Sequence, residues 1–345
     1  MAPLNIGIAG AGLLGRLLAW RLAGLGHRVS VFDPAANAAE RGAAGWSAAG
    51  MLSPWAELEC ADLAVAELGL RSLELWQQTL ARLPGQVHFR REGSLLLAHG
   101  ADLGAAQRLV GLLQSKAAHP PRALAAAELA ALEPAIHGPA HAWMLDGEGQ
   151  IHTVQAMQAL AEGASACGAR WHWGRSVRQA GCGVIDGQRY DHVFDVRGVG
   201  ARPDLAVRGV RGEIVWLHAP GLILRRPLRL LHARLRVYLV PRPDDIIVVG
   251  TSEIESEDRS PVSVRTLVGL LSAAHSVLPE LAEARLVHSE ANLRPALPDN
   301  LPLVVHEPGL TRINGLFRHG WLIAPALVDD ALRQAGIGAA EEFAA

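Results

Sequence analysis

Three glycines near the start of the chain, Gly10, Gly12 and Gly15, stand in the spacing G-x-G-x-x-G, and an acid, Asp33, follows 21 residues after the second. Residues of these types can hold a dinucleotide. Gly10 makes a tight turn, Gly12 lets backbone approach a pyrophosphate, and Gly15 lets a helix pack on a strand. The pyrophosphate then rests on free amides at the helix N-terminus. Asp33 is placed to accept a hydrogen bond from the ribose hydroxyls of an adenosine half. In a chain with 36 glycines the spacing alone is weak, and an ordinary strand–helix–strand unit with packing glycines would carry it too.

The flanking elements decide in favour of the dinucleotide. The apolar run 4–9 predicts a strand, and Leu13, Leu14, Leu17, Leu18, Leu22 and Leu25 predict a helix with Arg16 and Arg21 outside its apolar face. A second strand, 28–32, ends in Asp33. A secretory signal is disfavoured, because no basic region precedes the apolar run and Arg16 and Arg21 interrupt it.

Composition narrows the class. Half of the 345 residues are hydrophobic and 19% are charged, which excludes disorder and allows two domains or one elaborated α/β fold. The formal net charge of −2 asks for neither nucleic acid nor an anionic membrane. No apolar run reaches the roughly 18 residues of a membrane span. Cys60, Cys167 and Cys182 are few, odd in number and without metal spacing, so a cytoplasmic location is expected. The 15 histidines form no ligand cluster at metal spacing.

A nicotinamide dehydrogenase would continue with further βα units after Asp33; here a small-residue stretch, 34–45, leads into Trp46-Ser47-Ala48-Ala49-Gly50-Met51-Leu52-Ser53-Pro54. Such a run leaves room for a flat ring system, and it reads equally as a plain connecting loop. A helix is expected over 57–83, a hairpin from 87–91 and 94–98 across Glu92-Gly93, and helices over 105–113 and 125–132. Thr153 is a candidate cap for a helix running to about Cys167. Short strands over 170–184 and 190–196 precede a glycine-containing segment, 196–200, able to close on a dinucleotide. The runs 209–217, 235–241 and 246–250 form a strand-rich block suited to a cavity wall. A helix is expected over 264–275, a strand over 286–293, and a terminal helix from about Ala326, after Pro325.

The whole chain resembles the D-amino-acid oxidase superfamily of flavoproteins, and within it the glycine oxidases of thiamine biosynthesis. The likeness rests on the N-terminal motif, on segment 47–54, on Arg211-Gly212-Glu213, Tyr238-Leu239-Val240-Pro241-Arg242 and Leu293-Arg294-Pro295, and on Phe317-Arg318-His319-Gly320 with Ala324-Pro325. It implies an α/β fold: a Rossmann-type FAD-binding domain (1–85, 146–207 and 296–345) with an inserted α+β substrate domain on an antiparallel sheet (86–145 and 208–295). FAD is expected to be non-covalent, since no Cys follows Cys182 and no His lies in 46–50.

By the same resemblance Arg294 matches the arginine for the substrate carboxylate, Tyr238 shares that carboxylate, and Arg318 lies near the cavity. A guanidinium fork holds a carboxylate through two parallel hydrogen bonds, which fixes orientation as well as position. Gly10, Gly12, Leu13, Leu14, Gly15, Asp33, Ser47, Ala48, Gly50, Met51, Val177, Gly198, His319, Gly320, Trp321 and Leu322 are the expected FAD contacts. For Gly320 a simple turn role is equally consistent. Arg236 stands where related proteins often carry His. The implied reaction is oxidation of glycine, sarcosine or a short D-amino acid by hydride transfer, with oxygen giving hydrogen peroxide and the imine available for thiamine thiazole synthesis. A homo-oligomer is expected. The alternatives are a D-amino-acid dehydrogenase feeding a quinone and a catalytically silent flavin-binding module.

Overall fold

The computed structural model describes residues 2–231 and 236–338, arranged around two sheets. The first has six strands in the order Leu303–Glu307, Leu310–Asn314, His192–Asp195, Asn5–Ala9, Arg28–Asp33, Arg170–Trp173. All are parallel except Leu303–Glu307 at one edge. Its central strands are buried on both faces, which is why Asn5–Ala9 reads as a continuous apolar run and not as an alternation. Helices Leu13–Gly24, Leu63–Leu80, Thr153–Ala166 and Gly320–Gln334 share the core on one face. A three-stranded meander covers the other through Ala180, Ile185 and Tyr190.

The second sheet has eight strands in the order Arg285–Ala296, Arg208–His218, Ile246–Gly250, Arg236–Arg242, Leu228–Leu231, Ser94–Ala98, His141–Leu145, Arg122–Leu124. It is antiparallel apart from the pairing of Leu228–Leu231 with Ser94–Ala98. Helix Val264–His275 packs on one side of it and Leu103–Lys116 on the other. Of the strand expected over 235–241, Leu235 lies outside the described residues, as do 339–345 at the end of the chain.

Several local expectations are corrected. The segments 87–91 and 94–98 do not form a hairpin: Phe89–Arg90 pairs with Gly149–Ile151, whereas Ser94–Ala98 joins the eight-stranded sheet. Gly93, at φ +82° and with its N–H donated to Glu148 O, passes the chain from one to the other. The helix expected from Glu57 starts at Leu63, because the Asp62 side chain accepts from Val65 N and caps it there. His152, not Thr153, caps the helix Thr153–Ala166, and Thr153 Oγ1 donates instead to Ala48 O at 3.1 Å.

Arg16 is not outside the apolar face. It is 1% exposed, and its guanidinium donates to Ala11 O, Met157 O and Ala38 O at 2.8–2.9 Å while lying 5.0 Å from the Trp46 ring. Burial pushes it down to about 10, against the pull of Asp33. The terminal helix begins at Gly320, six residues before the expected start, with Pro325 inside it. Pro325 has no N–H for the carbonyl of Trp321 four residues back. The Trp76 indole N–H fills that place at 2.8 Å, its ring stacked on Trp321 at 5.3 Å.

Candidate active site

Gly10 sits at φ +106°, and a Cβ there would meet Val196 O at 2.7 Å. A Cβ on Gly15 would overlap Gly10 O, so Gly15 seals the helix against the turn and stands off the cavity wall. Gly12 differs from both: the nearest atom to a Cβ there is Ala43 Cβ at 3.5 Å, which leaves its backbone open to approach. Asp33 braces the turn, accepting Ala11 N–H at 2.6 Å and Ala35 N–H at 2.9 Å.

From this turn opens a cavity of about 970 Å³, within the size range of ligand and cofactor sites. Gly10, Gly12, Leu13, Leu14 and Asp33 line it, as do Val177 and Gly198. So do Ser47, Ala48, Gly50 and Met51, whose stretch is pinned from behind. Thr153 Oγ1 donates to Ala48 O, Ile151 N–H to Gly50 O, and the Arg242 guanidinium to both Ala49 O and Ile151 O. Arg242 is 7% exposed and makes no ion pair among the described residues; burial pushes it down to about 9. Gly320, Trp321 and Leu322 bring the first turn of the terminal helix, with its free amides, to the same wall.

Tyr238, Arg294 and Arg318 all line the cavity. Arg294 is half-buried, on the strand Arg285–Ala296, and its guanidinium lies flat over Gly212, where any Cβ would overlap it. Gly250 likewise leaves space for the Tyr238 ring, 2.7 Å from where its Cβ would be. Among the described residues the acceptors on the Arg294 guanidinium are neutral: Thr251 Oγ1 at 2.8 Å, Ser252 O at 3.1 Å from both terminal nitrogens, Arg211 O at 3.5 Å, and the Tyr238 side chain. Burial lowers Arg294 from its ordinary value, opposed by Tyr238 and Glu253.

Arg318 is held differently. Glu57 accepts its Nε at 3.1 Å, and Glu253 lies 3.4 Å from its Nη1. Glu57 also pairs with Arg229 at 2.8 Å and has His319 Nδ1 at 3.2 Å. Burial would raise the Glu57 carboxyl, but Arg318, Arg229 and His319 hold it well below the usual carboxylate range. Glu57 in turn raises Arg318. The His319 side chain is buried against this cluster and does not line the cavity. Glu57, Arg229 and Arg242 are absent from the sequence-based site. Only Arg242 left a signal there, as the last residue of a matching segment with no role assigned.

The family described as FAD dependent oxidoreductase, DAO, matches residues 5–329. The chain belongs to that family. It is 38% identical over 335 residues to the Rhizobium etli protein named as thiamine biosynthesis oxidoreductase ThiO, covering 96% of each chain. It is 25% identical to a glycine oxidase of Geobacillus kaustophilus, whose crystal structure superposes with a TM-score of 0.83 over 100% of this chain and 98% of that one. A bifunctional protein ThiO/ThiG of Trichormus variabilis is 27% identical over 94% of this chain, which spans 52% of that protein's length. The protein is thus an FAD-dependent oxidoreductase of the glycine oxidase type. Its fold is that of the DAO family, and no helix among the described residues is long and apolar enough to cross a membrane.

Proposed function

We propose that this DAO-family enzyme oxidatively deaminates glycine or another small amino acid, such as sarcosine or a short D-amino acid, with oxygen as acceptor and hydrogen peroxide as by-product. The reading is carried by one observation: Arg294, on the cavity wall beside Tyr238, has only neutral hydrogen-bond acceptors among the described residues, which leaves its charge for an anion. A carboxylate supplies that anion, and the fork fixes its plane. In this reading segments 1–85, 146–207 and 296–345 bind FAD, and 86–145 and 208–295 form the substrate domain.

The open Gly12 backbone, the braced Asp33 and the pinned Ser47–Met51 stretch fit FAD, which when bound supplies the hydride acceptor. The protein's own work is grip and electrostatics. Arg294 and Tyr238 hold the carboxylate so that the Cα–H has one orientation. Arg318, paired with Glu57 and Glu253, adds a polar boundary. The amides at Gly320–Leu322 favour negative charge at the helix N-terminus. The name ThiO, carried by the Rhizobium etli and Trichormus variabilis relatives, supports delivery of the imine to thiamine synthesis.

A small-amine screen with peroxide readout, comparing wild type with Arg294→Ala, tests this. Peroxide from glycine, sarcosine or D-alanine, with KM raised at least a hundredfold in the variant, is the expected outcome. Substrate affinity left intact by the substitution refutes the carboxylate assignment. Anaerobic flavin bleaching without peroxide, relieved by a quinone, favours a dehydrogenase instead.

A further inference from the structure

Arg211-Gly212-Glu213 is one of the segments on which the family resemblance rests, yet only its glycine lines the cavity. The strand Arg208–His218 explains the division. Side chains alternate across a sheet, so Gly212 lies on the face that carries the Arg294 guanidinium, whereas Arg211 and Glu213 share the opposite face. Glu213 is fully buried and every donor around it is spoken for. One oxygen accepts Arg211 Nη2 at 2.7 Å and Ser263 N–H at 3.0 Å; the other accepts Ser252 Oγ at 3.0 Å and Thr266 Oγ1. The Glu213 backbone holds the same segment, its N–H donating to Ser252 Oγ and its carbonyl accepting from Thr251 Oγ1, both at 3.0 Å.

Thr251 and Ser252 accept from the Arg294 guanidinium at 2.8–3.1 Å. We infer that Glu213 is a positioning residue for substrate binding: from the far side of the sheet it fixes Ser252 and the wall segment running to Thr266, and so sets the Arg294 guanidinium in place over Gly212. This arrangement gives the arginine rigid support without giving it a counter-ion. The nearby carboxylate is consumed by Arg211 and by hydroxyl and amide donors, whose hold keeps Glu213 below the usual range although burial would raise it. A carboxylate moved to the cavity face would neutralise Arg294 and compete with the substrate.

The inference rests on Arg294 as the carboxylate group, and its test separates the two. Holoenzymes of wild type, Glu213→Ala and Glu213→Gln are titrated with acetate, followed by the flavin visible spectrum, and assayed with glycine. Acetate has the carboxylate but no amine to oxidise. Glu213→Ala is expected to raise the acetate Kd and the glycine KM about tenfold or more, with kcat changed by less than about threefold. Gln, which can still accept from Arg211 and hydrogen-bond to Ser252, is expected to bring both back to within about threefold of wild type. Unchanged Kd and KM in Glu213→Ala overturn the inference, and so does a fall in kcat with KM unchanged. Where Glu213→Ala does not fold, Ser252→Ala decides: it keeps the carbonyl on Arg294 but cuts the hydroxyl link, and an unchanged acetate Kd overturns the inference. A wild type that binds acetate yet oxidises none of the amines refutes the proposed reaction and leaves the positioning role standing; one that does not bind acetate refutes both.

Discussion

Replacing Arg242 by Met tests whether this buried cation serves stability or the cavity wall. Burial pushes the guanidinium from 12.5 down to about 9. That shift corresponds to a penalty of about 5 kcal/mol on its charged form at neutral pH. The two charged hydrogen bonds to Ala49 O and Ile151 O return about 3–6 kcal/mol. Methionine removes both contributions while keeping much of the volume, so the apo protein is expected to change in stability by no more than about 2 kcal/mol, or a few degrees in melting temperature. Flavin binding has no such cancellation. The Ala48–Gly50 carbonyls lose their central anchor, and the FAD Kd, read by quenching of flavin fluorescence, is expected to rise at least tenfold. An unchanged Kd refutes the reasoning, and a melting point more than about 8 °C lower makes Arg242 a stability residue.

Trp76→Phe removes the indole that occupies Trp321 O and is expected to cost about 2–3 kcal/mol in urea unfolding; adding Pro325→Ala, which restores a backbone donor to that carbonyl, should return part of the loss. Glu57→Gln leaves Arg229 and Arg318 without their shared carboxylate and should destabilise by about 3 kcal/mol, measured the same way. Burial depresses His192 to about 4, helped by His306, and depresses His152 to about 3, helped by Arg242. Unfolded imidazoles protonate near 6.5, so between these values the unfolded chain binds more protons and stability falls as pH falls. The melting temperature should therefore drop from pH 6.5 towards 4, and less steeply in His192→Gln; equal slopes would show that His192 does not contribute.

Legibility followed the range of the interactions. The turn is legible because it is local: within one strand–helix–strand unit a Cβ on Gly10 or Gly15 would clash, and Asp33 closes on the Ala11 amide. Where a distant group decides, the local pattern misleads. Pro325 looks like a helix boundary because the Trp76 indole that completes the helix around it lies 249 residues earlier in the sequence. Arg16 looks like a polar-face residue because the carbonyls that receive it, at Ala38 and Met157, are remote in sequence. Glu57 has no motif; only folding brings it between Arg229 and Arg318.

The six-stranded sheet has a consequence for synthesis on the ribosome. Asn5–Ala9 lies at its centre beside His192–Asp195, and the next neighbour, Leu310–Asn314, is synthesised long after both. The nascent chain must therefore carry an incomplete sheet edge through most of translation, exposed to chaperones and to other copies of itself. Fragments that lose Asn5–Ala9 or Leu310–Asn314 would lack a strand of that sheet and leave His192–Asp195 with an unpaired edge.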